Sequence, residues 1–267
     1  MENGTSSGQF ITKKSSILLA QIALFAAIFL IWAALSTMQV GGPDALPGPV
    51  PVLTELILVL GTSTGWSAIL TTFKSWALGL TVSIIVGVIV GSLLGLSHFT
   101  YRSTRGLFDF ARSVPPIALL PMGVFIIGTS WKLPVTMIIW TCMWPIVLQT
   151  MYGVRDVDPV ARDAMRLLRL NRWHQAIWLV GPSAMPYIMT GIRISAVMSL
   201  VVSIGTELIV GLPGIGYGLY YSQYSGAIPR MYAYVVIAAI FGSAVTLIFT
   251  RLEKIMLSWH PSHREQS

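Results

Sequence analysis

The sequence predicts an all-α membrane protein with six transmembrane helices and both termini in the cytoplasm. Of its 267 residues, 54% are hydrophobic and only 10% are charged, and the mean hydropathy is +0.74, which is too apolar for an ordinary soluble domain. The apolar residues form runs close to the roughly 20 residues that a helix needs to cross a bilayer. Most of the 17 Lys and Arg residues fall in alternate loops, which fixes the orientation of the spans.

The first predicted span is the apolar run Ile17–Leu35, which follows a polar tail at residues 1–15. A cleaved signal peptide begins in the same way, but no small-residue cleavage site follows the run. We therefore expect an uncleaved span. Residues 41–51 are rich in proline and glycine and lead through Glu55 to about Trp66, which indicates an extracytoplasmic loop.

The second predicted span, Ser75–Leu96, carries Gly87, Gly91 and Gly95 at intervals of four residues. This pattern of small residues lets helices approach closely in lipid, so we expect the glycine face to pack against another helix. A contact with a second copy of the chain is the alternative.

The third predicted span covers residues 113–128 and follows a basic loop at His98–Arg112. Pro115, Pro116 and Pro121 fall at its start, where they must distort the helix. Broken helices can open backbone groups toward a central cavity in transporters. A boundary of the span explains the first two prolines equally well.

The last three spans are expected at Leu133–Tyr152, Met185–Val210 and Met231–Ile255. Residues 211–224, before the sixth span, are rich in glycine and tyrosine and predict a re-entrant or interfacial stretch. Its tyrosines are typical of an aromatic belt at the membrane surface, with a gate for the solute as the alternative.

The positive charges place both termini and the even-numbered loops in the cytoplasm. Only Lys74, Lys132 and Arg230 are expected on the opposite side. Since no internal repeat stands out, we predict one membrane domain at residues 16–257, with cytoplasmic tails at residues 1–15 and 258–267.

Residues 155–182 form the only long polar segment of this apolar chain. Asp158 followed by Pro159 is typical of an N-cap and a first helical residue, which predicts a helix over residues 158–169. A turn at Leu170-Asn171 and a second short helix, ended by Gly181-Pro182, complete the segment. The first helix has an apolar face (Ala161, Ala164, Met165, Leu168) and a basic face (Arg162, Arg166, Arg169). Such a helix either docks on a protein or lies on anionic lipid.

This polar segment resembles the cytoplasmic loop of the permease subunits of ATP-binding-cassette (ABC) importers, specifically the nitrate, taurine and alkanesulfonate family. The family pattern is Glu-Ala-Ala, then a glycine four residues after the last alanine, then Ile-x-Leu-Pro. Here Asp163-Ala164-Met165 stand at the first place, Arg169 at the glycine and Leu179–Pro182 at the end. The aspartate keeps the charge, whereas Arg169 and Gly181 depart from the pattern.

Four further stretches resemble the same family in the same order: residues 112–121, Arg172-Trp173, Thr190–Arg193 and residues 207–217. The resemblance covers most of residues 75–225 and implies the type I ABC importer permease fold. It also implies a homodimer of permeases, two cytoplasmic ATPase subunits docked on the polar segments, and an extracytoplasmic solute-binding protein.

The resemblance assigns ATPase coupling to eight residues of the polar segment: Asp158, Asp163, Ala164, Met165, Arg169, Arg172, Trp173 and Pro182. The chain has no Gly-x-x-x-x-Gly-Lys-Ser/Thr loop for nucleotide phosphates, so we expect ATP-Mg on the partner subunits and no cofactor on this chain. Its single cysteine and four scattered histidines offer no metal site and no catalytic cluster. We therefore expect neither an enzyme nor a nucleic-acid-binding protein.

The resemblance also implies a solute path lined mainly by spans three and five. The candidate residues for the path or its gate are Ser113, Pro115, Pro116, Pro121, Arg193, Val197 and Glu207. Arg193 and Glu207 are ionisable within a span, where a charge at the helix centre costs about 2.5–3.5 kcal/mol. Each one either faces the path or forms a buried hydrogen bond or ion pair that holds the helices together.

The sequence therefore predicts the transmembrane subunit of an ATP-driven importer in the bacterial plasma (inner) membrane. Its solute would be nitrate, a sulfonate, taurine or another small organic or inorganic anion, moved by alternating access. The alternative is an ion-coupled secondary transporter with Glu207 as the proton site, although the sequence shows neither the inverted repeats nor the paired intramembrane acids that favour that class.

Overall fold

The computed structural model describes residues 6–39, 42 and 45–257, and the regular structure within these ranges is entirely helical. The carboxy-terminal tail predicted at residues 258–267 lies outside the described residues. The helices are α1 (Ser6–Thr37), α2 (Pro49–Leu60), α3 (Ser63–Gly95), α4 (His98–Ser113), α5 (Leu120–Ile127), α6 (Lys132–Arg155), α7 (Pro159–Leu167), α8 (Arg172–Gln175), α9 (Gly181–Val210), α10 (Ile215–Tyr224) and α11 (Ile228–Met256).

Within the described part, five stretches are long and apolar enough to cross a membrane. They are Leu19–Thr37 of α1, helix α3, helix α6, the stretch Arg172–Tyr224 that contains α9, and helix α11. A sixth results if Arg102–Ser113 and Pro116–Ile127, which meet at an angle of 81°, form one broken span. The all-helical membrane fold predicted from the sequence is therefore confirmed.

Helices α3, α6 and α9 form the centre of the bundle. A Cβ atom on Gly87 of α3 would lie 2.7 Å from Ile146 Cγ2 of α6, and one on Gly91 would lie 2.6 Å from the Val147 carbonyl oxygen. Only glycine permits so close an approach. The glycine face of the second span thus packs against a helix of the same chain, as predicted, and is not free for a contact with a second copy.

The bundle has two ends, which we name after a helix that each carries. At the α7 end, helix α3 terminates at Gly95 against Val154 of α6. At the α10 end, Leu133 in the first turn of α6 packs with Leu212, just before α10. Helices α3 and α6 therefore run in opposite directions between the same two ends.

Helix α1 lies along the outside of the bundle. None of its apolar residues 19–37 is buried, and the Trp32 indole N–H donates to the Pro47 carbonyl oxygen at 3.0 Å, beside α2. The helix begins at Ser6, so residues 6–15 of the predicted polar tail are already helical.

Two stretches predicted as loops are helical instead. The basic loop at residues 98–112 is helix α4, because the Ser97 hydroxyl accepts the Thr100 N–H at 3.3 Å as an N-cap and Phe108 packs against α6. The approach to the second span is split into α2 and the first turns of α3, which the Thr62 hydroxyl caps by accepting the Gly65 N–H at 3.1 Å.

The helix break predicted at Gly181-Pro182 is wrong. The chain runs from α8 through a π-helical turn at Ala176–Val180 directly into α9. In that turn the Gly181 N–H donates to the Ala176 carbonyl oxygen, five residues back. Pro182 directly follows this turn, and because proline has no N–H, the hydrogen bond that a helical residue would donate is missing there.

The stretch after the fifth span turns sharply and forms α10, which packs against α9 and α11. Gly211 and Gly214 have φ angles of +74° and +153°, which only glycine adopts without strain. The stretch predicted at residues 211–224 is thus a short helix packed on its neighbours, and its re-entrant or interfacial position in the membrane stays a prediction.

Candidate functional site

Helix α7 begins as the sequence predicts. Asp158 is the N-cap, and its Oδ1 atom accepts the Val160 N–H at 2.8 Å, while Pro159 takes the first helical position. The helix ends at Leu167, two residues before the predicted boundary at residue 169. A short linker of three residues thus separates α6 from α7, which leaves little freedom between them.

Arg169 ends α7 in the conformation that glycine favours. Its φ is +51°, its N–H donates to the Arg166 carbonyl oxygen at 2.9 Å, and the Leu170 N–H donates to the Met165 carbonyl oxygen at 3.3 Å. This pair of bonds is the Schellman motif, which normally carries glycine at the left-handed position. Arg169, at the position where the family pattern has a glycine, therefore adopts the left-handed conformation that glycine favours.

The side chains of α7 and α8 are largely exposed. Asp163 and Arg166 form an exposed ion pair at 3.1 Å. Leu167 is 85% exposed and Trp173 is 74% exposed, and Leu168, Ile177 and Trp178 are exposed as well. We call these five side chains the apolar patch. Exposed apolar groups of this size commonly mark a contact with a protein or a membrane.

The predicted coupling residues therefore lie on one continuous segment, residues 158–182. Those with exposed side chains are Asp158, Asp163, Ala164, Arg169, Arg172 and Trp173. Met165 and Pro182 are half-buried, and Pro182 lines a groove with Ile177 and Met256. The structure thus brings all eight onto the α7 end of the bundle.

The segment is tied to both neighbouring spans. The Tyr187 hydroxyl of α9 donates to Asp156 Oδ2, at the end of α6, at 2.6 Å. The Arg162 guanidinium of α7 donates to the Val154 carbonyl oxygen of α6 at 3.3 Å. A Cβ on Gly153 would lie 2.9 Å from the Cβ atom of Tyr187, so α6 and α9 touch here. We call the Tyr187–Asp156 contact the neck of the segment; sequence reasoning missed it, because no local pattern marks a pair 31 residues apart.

A groove of about 370 Å³ separates the broken third span from α9. It is mainly apolar, and it brings together Pro116 and Val197, two of the residues predicted for the solute path. The other lining residues are Ile117, Leu120, Thr141, Met198, Val201, Val202, Gly205 and Thr206. Ser113, Pro115 and Pro121 are not among them, and the Ser113 hydroxyl instead donates to the Asp109 carbonyl oxygen at 2.7 Å.

Arg193 does not line this groove. Its guanidinium pairs with Glu253 of α11 at 3.2 Å, and Glu253 is mostly buried. The structure therefore favours the second interpretation of Arg193, an ion pair that joins α9 to α11, over a place on the solute path.

Glu207 also lies outside the groove, and it is only 1% exposed. Its carboxylate accepts hydrogen bonds from the Thr72 hydroxyl at 2.8 Å, the Ser203 hydroxyl at 3.2 Å and the Gly216 N–H at 3.0 Å. The Thr72 hydroxyl in turn accepts the Ile215 N–H at 2.9 Å. Glu207 thus anchors the start of α10 to α3 and α9, and a side chain at Gly214 would collide with it.

Among the residues that the structure describes, no group of three or more His, Cys, Asp or Glu side chains is placed to hold a metal ion. Cys142 is a free, buried thiol in α6. The exposed segment at the α7 end and the apolar groove between spans are therefore the two features that a function must explain.

These features belong to a multi-pass membrane permease. Residues 83–258 match the family described as "Binding-protein-dependent transport system inner membrane component". Because the match covers more than half of the sequence, the chain belongs to this family of ABC importer permeases, and it is a multi-pass protein of the inner membrane.

Curated relatives of this chain are permeases of the same kind. It is 29% identical to the nitrate import permease NrtB of Synechocystis, over 85% of this chain and 83% of that one. It is 27% identical to the bicarbonate transport permease CmpB of Synechococcus elongatus, over 91% and 89%. It is 26% identical to the taurine transport permease TauC of Escherichia coli, over 90% and 89%.

Solved structures share the fold. A bacterial alginate ABC transporter, crystallised with an alginate-bound periplasmic protein, superposes with a TM-score of 0.61 over 92% of this chain and 95% of that one. The sequence identity is only 13%, so this similarity shows only that the two chains share a fold.

Proposed function

We propose that this chain is the solute-translocating subunit of an importer whose ATP is hydrolysed, with Mg²⁺, by two separate ATPase subunits. The observation that carries the proposal is the segment at residues 158–182, which has exposed side chains on one side and contacts with α6 and α9 on the other. A motion of the partner would reach two spans at once through this segment.

The surface of the segment suits a protein partner better than a lipid surface. The apolar patch is combined with an acid, Asp163, and with four arginines from Arg162 to Arg172. An anionic membrane would attract the arginines at about 1 kcal/mol each but would repel Asp163. A cleft on an ATPase subunit can bury the apolar patch and form ion pairs with both the aspartate and the arginines. The whole surface of the segment would then be in contact with the partner.

We assign six spans to the chain, with both termini and the α7 end in the cytoplasm. Helix α3 ends at the α7 end, and α6 begins at the α10 end. The broken third span between them therefore has to cross the membrane. The membrane domain then covers residues 16–257, and the tails at residues 1–15 and 258–267 are cytoplasmic. The basic residues of the α7 end support this orientation.

We place the solute path along the groove between the broken third span and α9. In a homodimer the two grooves would face each other, with Pro116 and Val197 on the wall, and the α10 end would receive the solute from an extracytoplasmic binding protein. Alternating access then opens the path to one side at a time.

The proposed solute is a small anion. The relatives that this chain matches over most of their length are named for nitrate, bicarbonate and taurine. The first two solutes are inorganic oxyanions, and the third is a sulfonate. The rival function, an ion-coupled carrier that titrates Glu207, is disfavoured because that carboxylate is fully engaged with three donors and lies outside the groove.

The proposal is tested with Asp163→Ala and Arg172→Ala in the complex reconstituted with its ATPase in liposomes. Both variants should lower solute uptake per ATP hydrolysed at least tenfold while the chain inserts normally. Asp109→Ala is a matched control, since Asp109 forms a comparable exposed ion pair with Arg112 at 3.3 Å on α4. Normal uptake per ATP in both variants would show that the segment is not the coupling element.

A further inference from the structure

The coupling segment leaves the bundle through the neck defined by Tyr187 and Asp156. Residue 156 follows the last residue of α6, and its N–H still donates to the Tyr152 carbonyl oxygen at 2.9 Å, so its carboxylate is fixed at the end of that helix. Tyr187 lies near the start of α9, beyond the π-helical turn. Their 2.6 Å hydrogen bond therefore joins the two chain ends of the segment.

The rest of the segment depends on this closure. Its outgoing side is stiff, because α7 is capped by Asp158 and bonded back to Val154. Its return side contains the π-helical turn, where the i→i+5 pattern replaces normal helical bonds. The Tyr187–Asp156 bond lies on the α9 side of this turn, so it joins the start of α9 directly to the end of α6.

We infer that Tyr187 is a positioning residue for coupling, which together with Asp156 closes the neck so that a displacement of α7 by a partner reaches the start of α9 as well as α6. The inference rests on the proposed function, since it takes the segment to be the coupling element. The Tyr187–Asp156 pair lies outside the proposed docking surface, and it is not among the residues that resemble the family.

The bond can be removed and restored with small changes. Tyr187→Phe deletes only the hydroxyl and keeps the Cβ atom that lies against Gly153 of α6. Asp156→Ala deletes the acceptor, whereas Asp156→Asn keeps a carbonyl oxygen that accepts the hydroxyl. Tyr232→Phe is the matched control, since its hydroxyl donates to the Ala45 carbonyl oxygen at 3.2 Å at the α10 end.

The first readout is trypsin cleavage of the isolated chain within residues 162–172, where four arginines become cleavable when the segment opens. The Tyr187–Asp156 hydrogen bond has a charged acceptor but is exposed to solvent, so its loss should shift such an opening equilibrium by about threefold to fivefold. Tyr187→Phe and Asp156→Ala should therefore speed this cleavage about threefold to fivefold. Asp156→Asn, which keeps a weaker bond to a neutral oxygen, should speed it less than about twofold, and Tyr232→Phe should leave it unchanged. Equal rates in all variants would overturn the inference, whatever the transport assay shows.

The second readout is solute uptake per ATP in the reconstituted complex. Tyr187→Phe and Asp156→Ala should each lower the ratio about threefold to fivefold with unchanged melting temperatures. The double variant should be no worse than either, and Asp156→Asn should lower the ratio less than Asp156→Ala does. A wild-type ratio in Tyr187→Phe overturns the inference alone. If the wild-type complex imports nothing with ATP, the proposed function fails, and the inference fails with it.

Discussion

Replacing Glu207 with alanine removes the acceptor of three hydrogen bonds inside the bundle. The Gly216 N–H and the Thr72 hydroxyl lose their partner, whereas Ser203 can turn to its own helix. A buried donor left unsatisfied costs about 1–3 kcal/mol, so the two donors together should cost the variant about 2–6 kcal/mol of unfolding free energy. Helix α10 should loosen first, because its first two N–H groups depend on this network.

Glu207→Gln is the matched control. Its amide oxygen can accept from Thr72 and Gly216, and its amide NH₂ can donate to the Ser203 hydroxyl, so all three contacts survive. We expect a loss of less than about 1 kcal/mol.

Unfolding by SDS in mixed micelles, followed by the fluorescence of the 9 tryptophans, measures both variants. Equal stability of Glu207→Ala and wild type would refute the anchoring role. The rival hypothesis predicts transport that is driven by a pH gradient without ATP. If Glu207→Gln is stable but abolishes such transport, Glu207 is a proton site and the chain is a secondary transporter.

Two further substitutions test the packing and the turn. Gly87→Leu should cost about 2–3 kcal/mol of unfolding free energy in the same assay, because its Cβ would lie 2.7 Å from Ile146 of α6. Gly205→Ala has no atom within 4 Å of the new Cβ, so a comparable loss there would contradict the argument. Arg169→Gly should stabilise the end of α7 by about 0.5–1 kcal/mol, seen as slower amide hydrogen exchange, because φ of +51° strains any residue except glycine. Faster exchange would show that the arginine side chain, not the backbone, holds the turn.

The parts of the fold that local chemistry determines could be predicted from the sequence. The long apolar runs predicted the long apolar helices, and the four-residue glycine spacing predicted close packing of α3, which the structure shows against α6. The pair Asp158-Pro159 predicted the start of α7. Each of these signals acts within one or two helical turns. The polar segment at residues 158–182 was predicted for the same reason, and its role in coupling stays a prediction.

The rest depends on contacts between distant parts of the chain. Glu207 stood out as a charge in a span, but its partner Thr72 is 135 residues away and resembles any other hydroxyl. The Gly181-Pro182 pair suggested a break, but a π-helical turn lets the helix pass through it. Residues 98–112 read as a loop because their polar face dominates, while the burial of Phe108 against α6 that stabilises α4 is a tertiary effect.

The most direct test of the central claim is to purify the tagged chain gently from its native membrane and identify by quantitative mass spectrometry what accompanies it. The account predicts a stoichiometric ATPase subunit that carries a phosphate-binding Gly-x-x-x-x-Gly-Lys-Ser/Thr loop, lost when Asp163 and Arg172 are both replaced. A chain that emerges alone, and that still moves solute into liposomes without ATP, would contradict it.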